Sequence, residues 1–169
     1  MMSRRIVKYI LGVGLIIAIT MFIFNNSFDN YESSHNASDA ISEIILPDKY
    51  ANSENVSLII RKTAHLIEYS VLGISVMLLV KLIESDFGKK YYTTALFYVL
   101  LVAVLDEHIQ SFSDRTSSTG DILLDFFGSL IGFTIVITIH FVYVKLKNIK
   151  ERGTLIEMVL ETEQKEKRG

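Results

Sequence analysis

Four long apolar segments dominate the pattern of hydrophobic and polar positions along the chain. They run over about 6–24, 58–80, 91–109 and 121–144. Each is close to the roughly 20 residues that a helix needs to cross a bilayer. Their apolar residues form continuous runs and do not alternate as in a transmembrane barrel, and backbone groups in lipid must be bonded within the segment. The pattern predicts an all-α polytopic membrane protein with four transmembrane helices in a small bundle.

The first apolar segment has two interpretations. Arg4, Arg5 and Lys8 supply the basic residues with which a signal peptide begins. The apolar stretch is longer than the core of a typical signal peptide, and residues 25–28 follow it without a clear A-x-A cleavage site. These features favour an uncleaved first span over a signal peptide.

Lysine and arginine predict the orientation of the spans. They cluster before the first segment, between the second and third, and after the fourth, at Arg4, Arg5, Lys81, Lys89, Lys90, Lys145, Lys147, Lys150 and Arg152. The other side has fewer: Lys49 in the loop over 25–57, Arg115 in the loop over 111–120, and Arg61 and Lys62 near the end of a span. Cytoplasmic loops are enriched in basic residues. Both termini are therefore expected in the cytoplasm, and the 25–57 loop is expected outside.

Composition narrows the class of protein further. The 169 residues are 50% hydrophobic, with a mean hydropathy of +0.35, which is too apolar for a soluble domain of this size. We expect one membrane domain over 1–144, embedded in the lipid bilayer, and a charged cytoplasmic tail over 145–169. The absence of cysteine excludes disulfides and thiolate chemistry. No basic groove with interleaved aromatic residues suggests a nucleic-acid partner.

Ionisable residues lie within or at the ends of three of the apolar segments. They are His65 and Glu68 in the second, Asp106, Glu107 and His108 in the third, and Asp121 and Asp125 in the fourth. A charge in hydrocarbon is retained only where it is paired or lines a cavity. With the predicted orientation, all of them fall in the outer half of the membrane. We expect one shared, outward-facing polar site; the alternative is a structural network of ion pairs that holds three helices together.

Individual residues keep more than one interpretation. His65 and Glu68 are candidates for acid and base, and they are equally compatible with an intrahelical pair. Asp121 follows a Ser-Ser-Thr-Gly run and suits an N-cap or first-turn position, whereas Asp125 lies one turn deeper, where capping does not explain it. Candidates for catalysis are His65, Glu68, Asp106, Glu107 and Asp125.

Motif searches set further expectations. Gly73 and the Gly128-x-x-x-Gly132 pattern predict close approach of helix backbones. No spacing matches H-E-x-x-H or another metal-binding motif, and the chain has no G-x-S-x-G, P-loop or GxGxxG. We therefore expect no bound metal and no cofactor; the alternative is a metal held by residues of acceptable ligand types, which are His65, Glu68, Asp106, Glu107, His108 and Asp125.

Three blocks of the sequence resemble, in order, the signatures of VanZ-like membrane proteins. They are R-K-x-x-H-x-x-E-Y-x-x-L-G from Arg61, D-E-x-x-Q-x-F-x-x-R from Asp106, and D-I-x-x-D-x-x-G-x-x-x-G from Asp121. In that family Asn often stands at the position of Asp125, so this chain carries one more charge. The blocks and the intramembrane charges define the candidate ligand-binding residues Arg61, Lys62, His65, Glu68, Tyr69, Asp106, Glu107, Gln110, Arg115, Asp121 and Asp125.

The resemblance implies a bacterial cytoplasmic-membrane protein. The founding member is associated with low-level resistance to teicoplanin, a lipoglycopeptide that acts on the cell envelope. The expected partner is a lipid-linked envelope component or such a lipoglycopeptide. The alternatives are an intramembrane acid–base enzyme acting on a lipid-linked substrate and, ranked lowest, a small transporter.

Overall fold

Four helices make up the part of the chain that the computed structural model describes, residues 2–28, 54–112 and 118–166. They are α1 (Met2–Phe28), α2 (Glu54–Phe87), α3 (Tyr92–Gln110) and α4 (Thr119–Glu166), and no strand occurs among these residues. All four are long and apolar enough to cross a membrane. The predicted all-α fold with four membrane-spanning helices is confirmed. Most of the predicted outer loop, at 29–53, and Arg115 lie outside the described residues.

The helices extend beyond the apolar segments from which they were predicted. The clearest case is α2, which has 34 residues and continues past the predicted end at residue 80 to Phe87. Gly88 then ends it in the left-handed conformation, with φ of 67°, and its amide donates to the Glu84 carbonyl at 2.8 Å. A glycine accepts this conformation without strain and is the usual residue at such an end. A short turn therefore leads from α2 into α3.

The chain divides into two compact units, Met1–Thr134 and Ile135–Gly169. The second unit is a continuous helical stretch as far as Glu166, with exposed side chains over 137–158. The predicted tail from residue 145 is thus helical as far as Glu166. Lys147 and Glu151 form an ion pair along it at 3.8 Å.

Within the first unit, apolar side chains are distributed on both the inside and the outside of the bundle. Ile23, Leu72 and Val99, from α1, α2 and α3, are completely buried. Leu11 and Phe97 are each 67% exposed on its perimeter. A perimeter of this kind suits a protein whose surroundings are lipid, because exposed apolar side chains have no cost there.

Glycines bring α2 and α4 into backbone contact. A Cβ atom added at Gly73 or Gly132 would overlap backbone atoms of the facing helix, and one at Gly128 would lie 2.7 Å from the Leu66 carbonyl oxygen. The Ser70 hydroxyl crosses the same interface and donates to the Gly128 carbonyl at 3.0 Å. The predicted close approach at these glycines is confirmed. It brings the side chains near the start of α4 up against those of α2.

The polar side chains of this unit gather at two opposite ends. We call one of them the site end, where α1 and α3 end and α2 and α4 begin. We call the other the loop end, where α1 begins and the turn over 88–91 joins α2 to α3. Tyr9 of α1 donates to Asp86 of α2 at 2.9 Å at the loop end. Asn26 of α1 donates to Glu68 of α2 at 2.9 Å at the site end. Because successive helices run in opposite directions, the predicted polar residues lie together at one end of the bundle, the site end.

Candidate functional site

Three ionisable side chains from three helices meet inside the site end, and we call them the buried cluster: His65 of α2, Asp106 of α3 and Asp125 of α4. His65 Nδ1 lies 3.8 Å from Asp106 Oδ2 and 3.7 Å from Asp125 Oδ1. The two aspartates are 0% and 1% exposed. One imidazole thus faces two carboxyl groups that water does not reach directly.

Asp106 is held by hydrogen bonds from two helices. The Ser27 hydroxyl of α1 donates to its Oδ1, and the Gln110 side-chain amide, one turn further along α3, donates to its Oδ2 at 3.1 Å. Both carboxyl oxygens therefore accept a hydrogen bond, which suits an ionised carboxylate. The side chain is fixed in its orientation towards His65.

The carboxyl oxygens of Glu107 and Asp125 accept fewer hydrogen bonds than those of Asp106. Glu107 accepts a hydrogen bond from the backbone amide of Ser118 and so links the start of α4 to the end of α3. Its second oxygen, Oε2, and Asp125 Oδ1 are buried without a hydrogen-bond partner among the described residues. A buried polar atom without a partner costs about 1–3 kcal/mol. Natural proteins keep such atoms where a function or a bound species accounts for them.

An ion pair stands at the rim of the site end. Lys62 Nζ lies 2.6 Å from Asp121 Oδ1, and the two side chains are 43% and 30% exposed. Asp121 occupies the first turn of α4, one of the two positions predicted for it. The side chain of Ser118 accepts a hydrogen bond from the Gly120 amide at 3.1 Å and caps the helix. Asp121 is thus free to bind Lys62, and it benefits from the positive end of the helix dipole.

Glu68 joins the polar site to an apolar groove. Its carboxylate accepts the hydrogen bond from Asn26 and also lines a groove of about 300 Å³ between α1 and α2. The other lining residues are Ala18, Ile19, Phe22, Ile67 and Val71. Tyr69, the next residue, is fully buried and close to Asp106 and Asp125. A molecule lying in this groove would have hydrocarbon along most of its length and a carboxylate at one point.

Most of the predicted ligand-binding residues come together at the site end. They are Lys62, His65, Glu68, Tyr69, Asp106, Glu107, Gln110, Asp121 and Asp125. Arg61 is partly exposed one turn before His65 on α2. Arg115 belongs to 113–117, which the structure does not describe.

The sequence analysis missed the contribution of α1. Asn26 and Ser27 were considered only as the residues that follow the first apolar segment, yet they donate to Glu68 and Asp106. Ser27 is completely buried. The available signal was two hydrogen-bonding side chains directly after an apolar run. It does not reveal which helices α1 packs against, so it does not assign these residues to a site.

The comparison with protein families gives the context of this site. The sequence model of the VanZ/LLP1 family matches residues 12–141. This chain belongs to the VanZ/LLP1 family. No curated protein and no solved structure matches it. The matched range of this VanZ/LLP1 protein includes all three sequence blocks and most of α1, so the part of each helix that builds the site end falls within the family domain.

The site of this VanZ/LLP1 protein combines two kinds of chemistry. An imidazole between two carboxyl groups can transfer a proton or share a cation with them. The side chains of Asn26 and Lys62 present donors nearer the rim, where a polar group of a bound molecule would enter. The multi-pass membrane protein therefore offers a buried acidic centre that is reached next to an apolar groove.

Proposed function

We propose that this protein lies in the bacterial cytoplasmic membrane with both termini in the cytoplasm and the site end facing outward. The support is the basic side chains at the opposite, loop end of the first unit, Arg4, Arg5, Lys81, Lys89 and Lys90. Cytoplasmic loops carry this excess of lysine and arginine. In this arrangement 145–169 is a charged cytoplasmic tail, and the polar site meets molecules of the outer envelope.

The function we propose is binding of an amphiphilic envelope component, with protection against teicoplanin-type lipoglycopeptides as the consequence. The observation that carries it is the apolar groove between α1 and α2, which Glu68 lines about one turn along α2 from His65 of the buried cluster. An acyl chain in the groove would bring an attached polar group to Asn26, Glu68 and the rim. Lipid-linked envelope precursors and lipoglycopeptides both combine an acyl or prenyl chain with a large polar group.

A Glu68→Gln variant tests this function. The change keeps the size of the side chain and removes the charge that ends the groove. In a teicoplanin-sensitive bacterium, we expect expression of the wild-type chain to raise the inhibitory concentration of teicoplanin. The Glu68→Gln variant should lose at least half of that increase. Inhibitory concentrations are compared at equal amounts of membrane-inserted protein.

Asp86→Asn is the matched control, because Asp86 is a carboxylate of the same helix whose partner, Tyr9, lies at the loop end. It should retain the tolerance of the wild-type chain. Equal tolerance of the wild-type and Glu68→Gln chains at equal insertion would contradict the proposed function. So would wild-type expression that leaves tolerance unchanged.

A second candidate function is acid–base catalysis on a lipid-linked envelope substrate. The position of His65 favours it, because Nδ1 lies within 3.8 Å of a carboxylate oxygen of both Asp106 and Asp125, and an imidazole beside carboxyl groups can take up and release a proton. Purified protein incubated with envelope lipids would then change the mass of one lipid species, and His65→Gln would abolish the change. Mass spectra that are identical with and without the protein count against catalysis.

A further inference from the structure

We propose that the buried cluster binds one divalent transition-metal ion of the Zn²⁺ or Mn²⁺ type. The ligands are one imidazole nitrogen of His65 and one carboxylate oxygen each of Asp106 and Asp125. The inference rests on the proposed function only in treating this cluster as the centre of the site. It replaces the expectation of no metal, which rested on spacing along the chain.

The spacing of the three ligand atoms carries the proposal. One ligand atom of each residue lies within 4.8 Å of those of the other two. For any three atoms that close together, some point is no more than about 2.8 Å from all of them. Zinc bonds to nitrogen and carboxylate oxygen are about 2.0–2.2 Å long. Side-chain shifts of less than about 1 Å would therefore complete the coordination, without movement of the helices.

A second, independent observation comes from Asp125. Its side chain is 1% exposed, and its Oδ1 points at His65 from 3.7 Å, beyond hydrogen-bonding distance. No described donor satisfies this oxygen. A protein keeps a buried carboxylate oxygen without a donor only at high cost, unless a cation occupies that position.

Charge favours a divalent ion over a proton on His65. The cluster holds two buried carboxyl groups, and protonated His65 would supply one positive charge. Of the cations on the same turn of α2, Lys62 is bound to Asp121 at the rim, and Arg61 is partly exposed one turn before His65. A divalent ion balances both carboxylates with His65 neutral, which is the form in which imidazole binds metals.

The surroundings of the ligands resemble those of a metal site. Asp106 is oriented by donors from Ser27 and Gln110, and such outer hydrogen bonds fix carboxylate ligands in metal centres. Three protein ligands leave a coordination position for water or for an oxygen of a bound molecule. One nitrogen and two oxygens are acceptable to Zn²⁺ and Mn²⁺. Because the ligands come from three helices, no sequence motif for a single metal-binding segment would detect them.

Metal titration of the full-length protein tests the inference. The protein, purified in lipid nanodiscs and stripped with a chelator, is titrated with ZnCl₂ or MnCl₂, and bound metal is measured by mass spectrometry. We expect one ion per chain and a rise in the unfolding temperature. Asp125→Asn and His65→Gln should weaken binding at least tenfold and abolish the rise. Asp86→Asn, a carboxylate change at the loop end, should bind as the wild type does.

Circular dichroism and gel filtration establish that the variants are folded. Asp125→Asn is close in size and removes a buried charge, so its fold is expected to persist. The inference is overturned if the wild-type chain binds neither metal, or if folded Asp125→Asn binds as tightly as the wild type. A chain that binds no metal but raises teicoplanin tolerance through Glu68 would overturn the metal site alone. A chain that binds metal without affecting tolerance would overturn the proposed function alone.

Discussion

The charged side chains at the two ends of the first unit are paired in different ways. At the loop end, Lys81 lies 2.9 Å from Glu84 and donates to the Tyr92 hydroxyl at 2.7 Å. That hydroxyl donates to Glu84 at 2.6 Å. One positive and one negative group thus share a neutral partner, and each is hydrogen-bonded to the other two. The triangle uses side chains that are close in sequence, on the last turns of α2 and the start of α3.

The site end has a different balance of charges and hydrogen-bond donors. His65 at the site end and Glu84 at the loop end, both on α2, are about 28 Å apart at 1.5 Å per residue. His65 faces two buried aspartates, and Asp125 Oδ1 and Glu107 Oε2 lack described donors. Its members come from four helices, since Ser27 of α1 completes the set. A network that serves only packing would be expected to resemble the loop end, where all partners are present. The difference supports the proposal that the site end binds a ligand or an ion, at some cost in stability.

The largest expected effect comes from separating α2 and α4 beneath the site end. In Gly132→Val the new side chain would overlap the backbone of α2 near Ser70 and Ile74. Overpacking usually costs 1–3 kcal/mol, and a clash with backbone atoms should reach about 3 kcal/mol or more. The free energy of unfolding, measured by denaturant titration in bicelles, checks this.

Gly14→Val is the control for that change, because a Cβ at Gly14 of α1 has no atom within 4 Å. It introduces the same residue into a helix without a clash, and because valine is the better helix former it should change the free energy of unfolding by less than about 1 kcal/mol, without destabilising the helix. Equal destabilisation by the two variants would show that the α2–α4 contact does not support the site.

A medium loss in the free energy of unfolding is expected from removing the Ser27 hydroxyl, which is the hydrogen-bond donor that α1 supplies to Asp106. Ser27→Ala leaves Asp106 Oδ1 buried without the hydroxyl that now binds it, and hydrogen bonds to charged groups contribute about 1.5–3 kcal/mol. Ser75→Ala is matched to it, because Ser75 is also buried but donates only to the Val71 carbonyl within its own helix. We expect a loss of about 2 kcal/mol for the first variant and under 1 kcal/mol for the second in the same unfolding assay. Similar losses would place Ser27 outside the network.

The smallest effects should differ in sign between the two ends. In protein treated with a chelator, Asp125→Asn removes a buried carboxyl oxygen that lacks a donor and should raise the free energy of unfolding by about 1 kcal/mol. Glu84→Gln at the loop end breaks a satisfied, partly exposed pair and should lower it by no more than about 1 kcal/mol. Unfolding titrations on both variants check the comparison. Destabilisation by Asp125→Asn would mean that His65 and the protein alone satisfy Asp125.

Much of the fold was predictable, because in a bilayer helix formation depends mainly on local sequence. An apolar run of about 20 residues leaves its backbone no alternative to internal hydrogen bonding. The ends of the helices were less accessible. Residues 81–87 are largely polar or charged, yet α2 continues through them until Gly88 ends it. Polar residues in the last turns of a helix do not signal its end as glycine does.

The candidate site, like the fold, was predictable from the sequence only in part. The sequence predicted that the charges of the α2, α3 and α4 segments lie together, because they stand within apolar segments and successive helices run in opposite directions. The individual contacts depend on how the helices are rotated and how closely they approach. His65 lies next to Asp106 and Asp125. Glu68 accepts a hydrogen bond from Asn26. Glycines 73, 128 and 132 allow that approach, but helix rotation arises from contacts among all the packed side chains. Local residue order decides which segments cross the membrane, and packing between helices decides which charges touch.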